Sequence, residues 1–101
     1  MAVRIRLTPA VRSGFLTWYL PRDTVLRVLD RLHISTAANL AKPEYLEKVR
    51  HPTQPEIFTS RIVIQESGFA YIYLFTFLRK DEGETFDAID LSIHRRPVSE
   101  P

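Results

Sequence analysis

From Phe69 to Arg79 the chain is an almost unbroken run of aromatic and aliphatic side chains: Tyr71, Tyr73, Phe75 and Phe77 alternate with Ala70, Ile72, Leu74 and Leu78. Such a run is too short to cross a bilayer as a helix, which takes roughly 20 apolar residues. It reads as a strand that is apolar on both faces, and a strand of that kind is expected at the centre of a sheet, covered on both sides. The flanking segments agree. Ile57 to Gln65 is rich in β-branched residues, and Glu66-Ser67-Gly68 marks a turn before Phe69. After Arg79, Asp81-Glu82-Gly83-Glu84 marks another turn, and Thr85 to His94 alternates through Ile89, Leu91 and Ile93. Two Gly-containing turns between three β-rich runs predict a three-stranded antiparallel meander.

The first half has a different period. Val3, Ile5 and Leu7 alternate with Arg4, Arg6 and Thr8, as in a half-buried strand. Thr8-Pro9 predicts a helix start, with the Thr8 side chain accepting an N–H bond and Pro9 at the first helical position. Val11, Phe15, Trp18 and Tyr19 then give that helix an apolar face, which Gly14 weakens by ~1 kcal/mol relative to Ala. Pro21 forces Leu20 out of the helical region. Asp23 is placed to cap a second helix, with Val25, Val28, Leu29 and Leu32 on one side and Arg27 and Arg31 on the other. Residues 9 to 33 therefore read as a helical hairpin. Between 34 and 56 the pattern is weak. A short helix is predicted from Pro43 through Tyr45, Leu46 and Val49, with Glu44 and Lys48 one turn apart, before Pro52 and Pro55 mark a surface connection. The expected fold is α+β: an N-terminal strand, a helical hairpin, then the meander, as one domain over residues 1–96 with a frayed tail from 97 to 101.

Cysteine is absent, which rules out disulfides and thiolate metal sites and fits a reducing compartment. The opening residues lack the pattern of a secretory signal, so a soluble, cytoplasmic protein with no membrane contact is expected. Three histidines, with no partner ligand at suitable spacing, make a poor metal set. No cofactor is implied, since neither a Gly-rich phosphate loop nor a nucleophile elbow is present. The net charge is +2, and the sequence pI is about 9.2. That excess matters for a polyanionic partner only where the cations gather on one face.

Several local patterns resemble the RelE/ParE superfamily, the toxins of bacterial toxin–antitoxin pairs. Leu20-Pro21-Arg22-Asp23, followed by Val25-Leu26-Arg27-Val28-Leu29, is similar to the family's second helix. Arg61-Ile62-Val63-Ile64 leading to Gly68-Phe69-Ala70-Tyr71-Ile72-Tyr73 resembles its central hairpin, and Ile93-His94-Arg95-Arg96 resembles the end of its last strand. The resemblance implies an antitoxin protein as partner. It also implies action on mRNA at the ribosome as a metal-independent endoribonuclease, or on gyrase by binding alone. Arg61, His94 and Arg95 fall where the catalytic residues would be. One position departs from the pattern: the arginine the family places after the aromatic that follows Gly68 is Ala70 in this chain.

Alternation puts Arg61 and Val63 on the face opposite Ile62 and Ile64, and Ser92 and His94 opposite Leu91 and Ile93. Arg61 and His94 should then share the sheet's open face, with Glu66 at its rim. His94 is a candidate acid or base because imidazole titrates near neutrality; it also reads simply as a polar residue at a strand end. Arg95 and Arg96 are candidates to grip a phosphate or an acidic peptide, or only to keep the chain end solvated. Lys48 is a further candidate cation. Ile72 and Leu74 would leave apolar surface on the open face, which calls for a cover: a partner helix, a partner strand or a second copy of this chain. A plain interaction domain that homodimerises through its sheet face is accordingly the alternative to a toxin.

Overall fold

A computed structural model of the chain describes residues 3–80 and 84–98. It is an α+β fold with a mixed four-stranded sheet: β1 (Arg4–Leu7), β2 (Ile57–Glu66), β3 (Phe69–Lys80) and β4 (Thr85–Pro97), in the order β1-β4-β3-β2. β3 pairs antiparallel with both β2 and β4, while β1 lies parallel to β4, with Ile5 opposite Phe86 and Leu7 opposite Ala88. The turn into β3 has Ser67 at φ 53° and Gly68 at φ 81°. Two successive positive-φ residues are what a two-residue hairpin needs to match the twist of its strands. The turn read at Asp81 to Glu84 falls largely on residues 81–83, which lie outside the described residues. At the other end, β4 runs three residues past His94, and Val98 donates its N–H to the Gly68 carbonyl at 3.0 Å. The strand therefore includes Pro97, where the sequence suggested a frayed tail; residues 99–101 lie outside the described residues.

Among the described residues four α-helices accompany the sheet: α1 (Pro9–Thr17), α2 (Arg22–Arg31), α3 (Ala37–Leu40) and α4 (Pro43–Val49). A π-helical turn over Leu32–Thr36 joins α2 to α3. The expected end of the hairpin at 33 is corrected here. No Gly or Pro occurs between Arg22 and Lys42, so nothing interrupts the backbone ladder, and one wider turn suffices to keep Leu32, Thr36 and Leu40 facing inward, all buried.

Two predicted caps are also corrected. The Thr8 hydroxyl does not cap α1 but donates to the Ala88 carbonyl at 2.6 Å, tying the start of the helix to β4. Pro21, not Asp23, precedes α2; Asp23 sits in its first turn, where a carboxylate still meets the positive end of the helix dipole. The apolar face of α1 is shorter than its pattern suggested. Val11 and Phe15 are buried, but Trp18 and Tyr19 are exposed. The helix stops at Thr17, and Tyr19 takes a left-handed turn at φ 50° that aims it into solvent, while Leu20 packs against the core in its place.

All the helices lie on one face of the sheet. Beneath them Phe58, Ile62 and Ile64 of β2, Tyr73, Phe75 and Phe77 of β3, and Phe86, Ala88, Leu91 and Ile93 of β4 form a single core with Val11, Phe15, Val28, Leu32, Leu40 and Leu46. Phe15 meets Tyr73 and Phe75 at ring-centroid distances of 6.5 and 6.4 Å, and Tyr45 of α4 shares a hydrogen bond with Ser60 of β2. β3 is central, as expected, but covered on this face alone. Its other row, Ile72, Leu74, Thr76 and Leu78, is only half-buried. Cross-strand neighbours shield that row, and no helix reaches it among the described residues.

Two stability predictions follow from the packing. Leu32 is fully buried, whereas Leu29 is only partly so. Chemical denaturation should show Leu32→Ala losing about 2 to 5 kcal/mol and Leu29→Ala distinctly less. A Cβ added at Gly14 would lie 3.1 Å from both the Cβ and the backbone oxygen of Leu91. A central strand cannot withdraw its carbonyl easily, so crowding should outweigh the helix-propensity gain of ~1 kcal/mol. Gly14→Ala is expected to lower Tm rather than raise it.

Candidate binding face of the sheet

With the helices on one side, the opposite face of the sheet is open, and the strand register fixes which side chains share it. Residues at one register level lie side by side on one face. Three levels lie at the end of the sheet formed by the β2–β3 hairpin: Arg61, Leu74 and Ser92; then Val63, Ile72 and His94; then Gln65, Ala70 and Arg96. The sequence reading brought Arg61, His94, Ile72 and Leu74 to this face, and the register puts all four there with Arg96. Arg61 lies on β2, and Ser92, His94 and Arg96 lie on β4, the two strands that flank β3. Between them β3 offers only apolar side chains at these levels.

Ser92 Oγ and His94 Nε2 lie 2.9 Å apart, two residues along one strand, and both are solvent-accessible. Such a pair can exchange a proton with a bound group. Among the described residues no carboxylate hydrogen-bonds to the His94 ring, so the arrangement lacks the orienting group that turns a serine into a nucleophile. Arg61 is two strands away from His94, with Cα positions on the order of 10 to 12 Å apart. The groups expected to act together on one scissile phosphate are thus spread across the face.

Three predicted site residues lie elsewhere. Arg95 is out of phase with His94: it is level with Tyr71, on the helix side, and its guanidinium lies 4.6 Å from the centre of the Phe69 ring. The half-buried Phe69 ring thus holds the Arg95 cation by a cation–π contact. Glu66 does not form a rim to the open face, because it turns toward α2 and pairs with Arg27 at 3.0 Å. Lys48 lies on α4, in the helical layer. Alternation in the sequence already separated Arg95 from His94; the family pattern, which groups them, did not.

The opposite end of the open face carries a feature that local sequence could not reveal. Arg6 of β1 makes a paired contact with Asp87 of β4, Nε to one carboxylate oxygen at 2.7 Å and Nη2 to the other at 3.0 Å. Asp87 is largely shielded, while Arg6 is mostly exposed. Only the parallel pairing of β1 with β4 brings these residues together from opposite ends of the chain. Arg6 neutralises Asp87, and the register puts Arg4 and Lys80 at the same end of the face, so cations lie at both of its ends, with Asp90 between them. Among the described residues no cluster of His, Asp or Glu could hold a metal ion, and no helix is long and apolar enough to cross a membrane. Comparison with protein families, curated proteins and solved structures gave no match to this chain.

The hydrogen bonds from Arg6 hold the Asp87 carboxyl below its ordinary range, against the opposing effect of burial. A carboxyl depressed in the folded state adds stability above its unfolded value of about 3.9, and that stability is lost as pH falls through the lower folded value. Asp87→Asn should cost about 1 kcal/mol or less at neutral pH, since its partner is largely solvated. In urea titrations repeated from pH 6 down to pH 2, the gap between variant and parent should close at the acid end.

Proposed function

We propose that this chain is a toxin of RelE/ParE type that acts by binding, through the open face of its sheet, far more than by cutting RNA. The observation that carries the reading is the middle of that face. Ala70, Ile72 and Leu74 of β3 present no cation between Arg61 on one side and His94 and Arg96 on the other. Cleavage at the 2′-hydroxyl builds negative charge on the phosphorus-bound oxygens and needs donors converging on them. Loss of one such donor typically costs on the order of 100- to 1000-fold in rate. A stripe of apolar surface flanked by cations suits a different task, gripping an acidic or phosphate-bearing partner while burying part of it. The element order supports the family assignment, as do the Leu20-Pro21 hinge and the hairpin motif around Gly68. An antitoxin protein is then the neutralising partner. The target is either mRNA on the ribosome or a protein such as gyrase.

Induced expression in a bacterium tests this, with growth and mRNA 5′ ends followed together. The expected result is arrest without new mRNA ends, relieved by Arg61→Ala combined with Arg96→Ala. Both residues are exposed, so the pair should fold normally. Robust cleavage that disappears in His94→Ala would overturn the binding mechanism. Absence of arrest would overturn the toxin reading and leave self-association as the role of this face.

A further inference from the structure

The sheet has two edges, and they are treated differently. β1 is short, only Arg4–Leu7. β2 runs ten residues in unbroken register with β3, from Ile57 opposite Leu78 to Glu66 opposite Phe69. Natural edges are usually protected by brevity, a bulge, a proline or a charge pointing inward. β2 has none of these: it contains no Pro, Gly or Lys, and its inward residues Phe58, Ser60, Ile62 and Ile64 are all buried.

Two hydrogen bonds show which backbone groups point away from the sheet. The Ile57 carbonyl accepts from the His51 N–H at 2.8 Å, and the Val63 carbonyl accepts from Arg31 Nη1 at 3.0 Å. Outward groups alternate along a strand, so Thr59, Arg61, Val63 and Gln65 all face outward. A bridge between Arg50 and Phe58 covers the start of the edge. The remaining stretch, Thr59 to Gln65, has Ile62 at its centre.

We infer that this stretch pairs with the same stretch of a second copy, antiparallel, with Ile62 on the twofold axis. The segment is complementary to itself in that register. Thr59 lies opposite Gln65 of the other copy, and Arg61 lies opposite Val63, so no like charges meet directly and the Arg61 stem covers the exposed Val63. The outward groups then form hydrogen-bonded pairs, and the two sheets become one, continuous through β2. Centring on Arg61 would oppose two guanidinium groups, and centring on Val63 would leave Thr59 without a partner. Arg31 holds the carbonyl that the Arg61 N–H of the other copy must reach, so it competes with the pairing. Arg61 and Val63 also belong to the open face, so the dimer and the binding surface meet at this edge, and sedimentation reads the first without the second.

Sedimentation equilibrium of the full chain over a wide concentration range tests this, using substitutions of opposite charge at one exposed position. Val63→Glu should place a carboxylate opposite Arg61 and tighten the dimer, while Val63→Arg should loosen it. Each contact occurs twice, so the shifts in Kd should be about 2- to 30-fold. Arg31→Ala should tighten the dimer by freeing the carbonyl. A chain that stays monomeric at every concentration overturns the inference, and so does a dimer that both charges at Val63 weaken alike.

Discussion

Along β3 the aromatic residues fall on one side and the aliphatic ones on the other, and the rest of the architecture follows from that division. Tyr73, Phe75 and Phe77 are essentially fully buried, and rings of this size dominate the apolar area a small core can remove from water. Phe15 of α1 packs on that row directly, and Val28, Leu32, Leu40 and Leu46 join the same core from the other helices. With the helices on the aromatic side, no helix among the described residues covers the aliphatic side, and the sheet has one dry face and one available face. A bulge in β4, where Thr76 lies opposite Asp90 but Phe77 lies opposite Ala88, keeps the buried row in phase along the whole strand.

The elements themselves were legible in the sequence because their signals are local. The period-two pattern of β1, the glycine turn at Gly68 and the long run of β3 needed no tertiary information. What misled was local chemistry overridden by tertiary partners. Thr8 has the composition of a cap, yet its hydroxyl found the Ala88 carbonyl. Trp18 and Tyr19 continue the spacing of α1, but the chain had already turned. Apolarity on both sides of β3 suggested two covers, because sequence cannot distinguish a second layer of helices from shielding by neighbouring strands. In the candidate site, alternation correctly grouped Arg61, His94, Ile72 and Leu74. Arg6 with Asp87 and Arg31 with Val63 depend on which strands become neighbours or edges, and no spacing rule encodes that.

The charged residues of this protein are divided by use. Arg27, Arg50 and Arg95 are engaged on the helix side, in ion pairs with Glu66 and Glu47 and in ring contacts with Phe58 and Phe69. Arg61 and Arg96 remain on the open face. The ion pair of Arg6 with Asp87 lies on that same face, at its other end. The apolar centre of that surface adds shape and burial to charge, a combination suited to recognising a macromolecule.

The parallel contact between β1 and β4 has a consequence for the order of events in synthesis. Among the described residues β1 pairs with β4 alone, so it cannot take its place in the sheet until β4 has been made. Contacts that close so long a span of chain are slow to form and come late. Until then the apolar side chains of Ile5 and Leu7 have no strand to lie against. Apolar surface left uncovered in that interval is what makes a folding chain prone to aggregate.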